Sequence, residues 1–233
     1  MKTRLRYFSA SPATGSIFYK LNNMIKSRKE LEFYIMADRI MAGRNSKRSL
    51  KEFLISVFTS QNVILDYLRY MRKVSYYKSK KCRILSFDYL RCLYAGYKYR
   101  NLGLKLGFSI GYDVFGYGLL IPHYGTIVVN SNVRVGNYAV LHTCTCIGGS
   151  NKIIGDGLYL STGSQIMGNL TLGNNVSVSA HSLVNKSFGD NVLLVGSPAL
   201  VKVENYSSWY DRDGDIYKQR VLKIEKLKRE MNV

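Results

Sequence analysis

The sequence predicts an α+β chain in which an N-terminal helical domain leads into a parallel β-helix followed by a short C-terminal helix. Three observations predict it. Aliphatic residues return every six positions through the second half, apolar residues return every three or four positions in the first half and near the end, and positive charge is gathered in the first half.

The six-residue spacing runs through Val129, Val135, Leu141 and Ile147. After one extra residue it continues through Ile154, Leu160, Ile166, Leu172, Val178 and Val184. An α-helix would repeat at three to four and a free strand at two. A period of six suits a chain that turns a corner every six residues and points one aliphatic side chain inward per flat face, so that three hexads close one triangular coil. Small residues such as Gly136, Gly148, Gly155, Ser161, Gly173 and Ser179 follow the inward positions, where a corner leaves little room. Neither a coiled coil nor a β-sandwich has this period.

Breaks in the period locate candidate chemistry. Ile121 and Val129 are eight apart, so two surplus residues bulge from the coil within Pro122-His123-Tyr124-Gly125-Thr126. With the slips counted, Ile121, Leu141, Leu160 and Val178 share one face, with successive coils about 4.8 Å apart. The three histidines, His123, His142 and His181, all follow members of that column. His123 sits on the register break and is the leading candidate for a functional imidazole. His142 lies about one coil rise from it, and either assists it or lines a subunit interface. His181 reads more simply as a surface residue.

Residues 1–107 carry a net charge of +17 and residues 108–233 a net of +2, within the total of +19. Two regions with different tasks follow. Helical patterns cover Glu30 to Ala42, Leu50 to Tyr77 and Ser86 to Leu106, with Ser49 placed to cap the second; Gly103 and Gly107 mark the change of period. No proline interrupts these helices between Pro12 and Pro122. Ser9 to Ser16 is small and polar and is expected to be loosely ordered. The basic, tyrosine-rich helices suit an anionic membrane surface, an acidic polymer or a solvated face of an oligomerisation module. No nucleic-acid motif accompanies the charge, so nucleic acid is not an expected partner.

Composition sets the outer limits. In 233 residues with 46% hydrophobic content there is enough apolar material for a sizeable core. No apolar run has the length of a membrane span and Met1 to Arg6 lead into no signal segment, so a cytoplasmic location is expected, with peripheral contact at the inner membrane face as an option. Cys82, Cys92, Cys144 and Cys146 lack metal-ligand spacing and read as reduced thiols. The tail from Glu204 ends in an amphipathic pattern over Ile216 to Met231, expected to cover the open edge of the last coil.

The stretch Leu104 to Val203, with GLLIPHYGTIVV, IGGSNKIIGDGLYLSTGSQIMGNLTLGNNVSVSAHSLV and VGSPALV, resembles the left-handed β-helix, hexapeptide-repeat acyltransferases of the serine O-acetyltransferase type. It is closest in flavour to the branch found in capsule and exopolysaccharide gene clusters, whose helical lead-in YKYRNLGLKLGFSI also resembles. The combination of hexads, HYG before IVV and a terminal G-x-P-A carries the resemblance; no single motif would. The division it implies is a basic helical domain over 1–107, a left-handed β-helix acyltransferase domain over 108–203 and a helical tail over 204–233.

The resemblance implies O-acetyl transfer from acetyl-CoA to a hydroxyl, without a metal, in a homotrimer or dimer of trimers whose active sites lie between neighbouring coils. His123 matches the family's catalytic histidine. Imidazole suits the task, since it titrates near neutrality and can take the acceptor hydroxyl's proton as that oxygen attacks the thioester. Corner positions Gly148, Thr162, Gly163, Ala180 and Lys186, with Pro198 between Gly196 and Ala199, are the expected cofactor contacts. Lys186 or Lys202 would suit the CoA phosphates.

Departures from the pattern bear on the acceptor. Serine O-acetyltransferases place an aspartate just before the catalytic histidine, where this chain has Pro122, and another where it has Phe108; Asn151 stands where they carry a second histidine. Without those carboxylates to hold an ammonium group, a sugar hydroxyl of an acidic capsular or other surface polysaccharide, or of its oligosaccharide precursor, is the expected acceptor, with serine as the alternative. A non-catalytic trimeric scaffold is the other class of reading, and His123 on the bulge weighs against it. A three-histidine metal site would need rings close together, yet His181 lies about 10 Å beyond His142 in this count. An acyl-enzyme on Cys144 or Cys146 lacks a neighbouring base.

Overall fold

The computed structural model of the protein describes residues 24–50, 52, 62–80, 84, 86–149 and 151–233. Among the described residues three helices come first: α1 (Arg28–Met41), α2 (Val63–Ser79) and α3 (Phe87–Leu106). A left-handed parallel β-helix follows, and two helices close the chain, α4 (Trp209–Arg212) and α5 (Asp215–Glu230).

The coil has three faces. One is built by β1 (Phe108–Ile110), β2 (Ile127–Val129), β5 (Thr145–Ile147), β8 (Gln165–Ile166) and β11 (Leu183–Val184). The second contains β3 (Val133–Val135), β6 (Lys152–Ile154) and β9 (Thr171–Leu172). The third contains β4 (Val140–Leu141), β7 (Tyr159–Leu160), β10 (Ser177–Val178), β12 (Leu193–Gly196) and β13 (Ala199–Val203). Every pairing between coils is parallel and in register, as in Leu141 on Leu160 on Val178. All ten positions of the six-residue period are buried, so each hexad contributes one aliphatic side chain to a continuous core.

The corners between the second and third faces carry a signal that the aliphatic period conceals. There Gly-Asx pairs recur as Gly136-Asn137, Gly155-Asp156, Gly173-Asn174 and Gly189-Asp190. From the second pair on, each Asx side chain accepts a hydrogen bond from the Asx backbone of the preceding coil: Asn137 N–H to Asp156 Oδ1 at 2.7 Å, Asp156 N–H to Asn174 Oδ1 at 2.9 Å and Asn174 N–H to Asp190 Oδ1 at 2.6 Å; Asn137 Oδ1 itself accepts Tyr117 N–H at 3.1 Å. Those N–H groups point along a corner and have no strand partner, so the ladder satisfies them. It also explains the glycines, because a Cβ on Gly155 would lie 2.5 Å from Asn174 Oδ1.

Helix limits follow local chemistry. α1 begins two residues before the pattern read from the sequence because Ser27 caps it. Ser27 Oγ accepts Glu30 N–H at 3.0 Å, and Glu30 Oε2 accepts Ser27 N–H at 3.1 Å, a capping box. Ser49 Oγ accepts Glu52 N–H at 3.1 Å, as a capping residue would. The described part of the second pattern is α2; residues 51 and 53–61 lie outside the described residues, as does Ser9 to Ser16. α3 starts after Ser86, whose Oγ accepts Tyr89 N–H, and ends at Gly107 in the left-handed region, φ 77°.

The end of the coil departs from expectation. The chain reverses between Gly196 and Ala199, and β13 runs antiparallel on β12, so a returning strand covers the last edge of the third face. The task assigned to the tail helix is therefore done by the residues before it. The tail packs elsewhere. Trp209 Nε1 donates to Tyr138 O at 2.8 Å, Arg220 donates to Met41 O at 2.9 Å, and Glu225 Oε1 accepts from Tyr117 at 2.9 Å and from Tyr138. These contacts lay α5 against α1 and the outer side of the third face.

The helices join the coil through a buried ion pair. Arg72 Nε and Nη2 lie 2.9 and 3.1 Å from the two carboxylate oxygens of Asp38, Nη1 and Nη2 donate to Phe115 O and Gly116 O at 2.6 Å, and Leu119 N–H donates to Asp38 Oδ1 at 3.0 Å. Both side chains are almost fully buried.

Two stability tests follow from these features. Gly155→Ala is expected to cost about 1–3 kcal/mol through overpacking, whereas Gly189→Ala, with open space around it, should lower the thermal midpoint far less. Arg72→Met should cost about 3–5 kcal/mol in urea unfolding by leaving Asp38 charged and alone, with a large part recovered in Arg72→Met/Asp38→Leu.

Candidate functional site

Topology places His123 and His142 on one edge of the prism, where the chain passes from the third face to the first. His123 lies in the exposed loop between Leu120, which bridges to Val140, and β2. His142 follows β4 directly, at the same edge one coil on. The bulge inferred from the eight-residue gap is this loop, and it lifts His123 clear of the coil.

His142 is half-buried and anchored. Its Nε2 lies 3.0 Å from the Tyr159 hydroxyl, and the two rings are 5.2 Å apart. Burial is the main influence that lowers the His142 pKa; the nearby His123 imidazole acts in the same direction, and Asp213 opposes both. Burial, followed by the Asp213 charge, raises the Tyr159 phenol, so the phenol stays protonated. A neutral imidazole and a protonated phenol can share one proton between them, which orients the ring beside His123.

His181 does not belong to this pair. It lies three residues past the column, in the left-handed region with φ 56°, and its ring covers Gly163, where an added Cβ would meet Nδ1 at 2.5 Å. His181 thus fills a corner.

The residues expected at the cofactor separate into two groups. Thr162, Gly163, Ala180 and Pro198 lie on the histidine edge: Thr162 and Gly163 follow β7, Ala180 follows β10, and Pro198 turns the chain after β12. The Thr162 and Ala180 N–H groups have no hydrogen-bond partner among the described residues and both residues are exposed. They are available to a ligand. Gly163 N–H is committed to Thr143 O at 3.0 Å.

Gly148 and Lys186 are on the other edge of the first face, after β5 and β11, across a strand about 10 Å long. Within one copy of the chain they do not join the histidines, because a hexad carries the backbone to the next corner. Gly148 is moreover occupied locally: its N–H donates to Ile166 O at 3.0 Å and its carbonyl accepts from Lys152 Nζ. Lys186 Nζ rests 5.5 Å from the centre of the Phe188 ring.

The aspartate positions of the resemblance are apolar here. Phe108 is buried in β1, opposite Ile127 and edge-on to Tyr67, and Pro122 is exposed beside His123. The Cys146 thiol is pushed up by burial, which removes it as a thiolate at neutral pH. No group of three metal-ligating side chains occurs among the described residues, and no described helix is long and apolar enough to cross a membrane.

Sequence reasoning missed the C-terminal contribution. Arg212 and Asp213, which end α4, lie beside Tyr159 on the same side of the coil, with the Arg212 guanidinium carbon 5.9 Å from the Tyr159 ring centre. The signal was Trp209, the one tryptophan of the chain, whose indole pins this segment to Tyr138.

No protein-family model matches the chain. Among curated proteins it is 36% identical over 92 residues to a mitochondrial serine acetyltransferase 3 of Arabidopsis thaliana, covering 36% of this chain and 23% of that protein. It is 30% identical over 104 residues to the serine acetyltransferase of Buchnera aphidicola from Acyrthosiphon pisum, covering 41% and 38%. The chain thus spans less than half the length of these relatives. Both are named for serine rather than for a sugar. Among solved structures, the serine acetyltransferase of Brucella abortus strain S19 superposes over 83% of this chain and 90% of its own at 18% identity, with a TM-score of 0.47.

The lowered His142 pKa has a signed consequence. The unfolded chain binds the His142 proton more readily than the folded one, so this residue's contribution is fully present above about pH 6.5 and is lost as pH falls below it. Thermal midpoints measured from about pH 7.5 down to 5 should drop more steeply for the native chain than for His142→Gln.

Proposed function

We propose that this chain is an acetyl-CoA-dependent O-acetyltransferase with His123 as general base. The observation that carries the reading is the histidine edge: an imidazole lifted from the coil, a second imidazole held beside it by Tyr159, and backbone N–H groups, those of Thr162 and Ala180 among them, without partners among the described residues on the same edge. The similarity to proteins named serine acetyltransferases supports the same reaction class.

In this reading His123 accepts the proton of the acceptor hydroxyl as its oxygen attacks the thioester carbonyl, and returns that proton to the departing thiolate. His142 keeps a neutral ring next to it, so no second positive charge opposes the imidazolium formed on His123. Backbone N–H groups at corners supply fixed donors for the developing oxyanion or for the amides of the pantetheine arm. Acetyl-CoA supplies the activated acyl group. Thr162, Ala180 and Pro198 would line its path within one copy. Gly148 and Lys186 could contribute only from a neighbouring copy, which supports a homotrimer with the site between subunits.

Serine is the acceptor favoured by the names of the relatives. The sugar hydroxyl stands as the second reading, favoured by the apolar residues Phe108 and Pro122 at positions where the resemblance calls for carboxylates. Assays with labelled acetyl-CoA against serine and against acidic oligosaccharides separate the two. His123→Ala should lower turnover on whichever acceptor is used by about 10²–10⁴-fold, with the oligomer unchanged in light scattering. Undiminished turnover would transfer the base role to His142.

A further inference from the structure

We infer that Arg212 holds a carboxylate of the acceptor, so that the substrate class is a hydroxyl compound bearing a carboxylate. The inference rests on the acetyl-transfer reading for the identity of the site, and on the C-terminal segment for its own support.

Trp209, buried and hydrogen-bonded to Tyr138 O, fixes the four-residue helix α4 against the third face. That leaves Arg212 lying across the outer side of the third face, against Tyr159 and Ser177. Its guanidinium carbon is 4.0 Å from the Tyr206 ring centre and 5.9 Å from that of Tyr159. Nη1 donates to Ser177 Oγ at a long 3.4 Å, and Nε is 3.7 Å from Asp213 Oδ1. Nη2 has no hydrogen-bond partner among the described residues.

The side chain is only 22% exposed. A guanidinium has five donors arranged as a planar fork, and among the described residues this one meets a single hydroxyl, that of Ser177, and a single carboxylate, Asp213, paired through Nε at 3.7 Å. Nη2 is left open to an incoming acceptor, and the fork matches a carboxylate's two oxygens. Aromatic rings hold the fork in place, so little rotamer freedom is lost when an anion binds.

The position also suits the chemistry. Tyr159 lies next to Arg212 and is hydrogen-bonded to His142, and His142 neighbours His123. Arg212 spans the rungs of Tyr159 and Ser177, which lie two and three coil rises, about 10 to 14 Å, from that of the His123 loop. Hydrogen bonds of about 3 Å at each end leave room for the few bonds that join a hydroxyl to a carboxylate in one small molecule. Both a free hydroxy amino acid such as serine and a uronic acid unit of a sugar chain present that pair, so this chemistry is common to the two acceptor readings.

The test compares the native full-length chain with Arg212→Gln and Arg212→Lys on paired acceptors: serine and serinamide, glucuronate and glucuronamide. The native protein should prefer the carboxylate member of one pair. Arg212→Gln should raise KM for that carboxylate about tenfold, the loss of a charge-assisted pair, and erase the preference over the amide, with Arg212→Lys restoring part of it. Preference within the serine pair points to the amino acid, and within the glucuronate pair to an acidic sugar. Equal use of acid and amide by the native protein, or an equal rise in KM for both in the variant, overturns the inference while leaving acetyl transfer intact.

A second readout needs no turnover. Trp209 is the single tryptophan and its ring lies 6.3 Å from that of Tyr159, so its fluorescence should respond saturably to serine or glucuronate in the native chain and lose that response in Arg212→Gln. If transfer to every hydroxyl fails, the proposed reaction falls and this titration decides Arg212 alone. A flat titration in the native chain would overturn its role.

Discussion

Everything on the coil depends on how its first turn is held, and that falls to the buried pair of Asp38 and Arg72. A solenoid gains stability from each coil stacking on the next, but its first coil has no predecessor. Here the backbone carbonyls of Phe115 and Gly116, which would otherwise be buried without donors, accept from Arg72, and Leu119 N–H finds Asp38. Two helices and the opening turn are thereby joined at one point. The His123 loop follows directly, at residues 122–126, so the same pair sets where the bulge begins.

From that fixed start the coil carries position outward by repetition. Parallel register keeps each corner above the last, and the Gly-Asx ladder on one edge satisfies the N–H groups that corners leave over. The histidine edge has no such ladder. Its corners are filled instead by His142, Thr162, Ala180 and His181, and N–H groups such as those of Thr143, Thr162 and Ala180 remain without partners among the described residues. One edge is built for closure and another is left for contact.

The C-terminal segment ties the two ends of the fold together. It crosses from β13 to the outer side of the third face and returns to α1, with Trp209 as the pin and Glu225 shared between two tyrosine hydroxyls. This path brings Arg212 and Asp213 beside Tyr159, and through Tyr159 beside His142. The carboxylate that acts on His142, that of Asp213, therefore comes from a residue distant in sequence.

Much of this could be read from residue order, and the reasons are local. The period of six specified a three-faced coil because one inward aliphatic per face is a property of consecutive residues, and the interruption at Ile121 to Val129 revealed the bulge because an insertion must leave the period. The helix limits at Ser86 and Gly107 followed from chemistry within a few positions, whereas the apolar pattern starts α1 at Glu30 and misses the cap at Ser27. Other features were decided only by folding in three dimensions. The separation of Gly148 and Lys186 from the histidines depends on which corner each hexad reaches. The reversal at Gly196 to Ala199 depends on a strand edge supplied by β12, and the pairing of Arg72 with Asp38, 34 residues apart, depends on two helices meeting. The Arg212 placement rests on one buried indole far from the coil's own repeat. Repetition writes itself into sequence at short range, whereas burial of a charge or a ring is settled by whatever distant segment arrives to cover it.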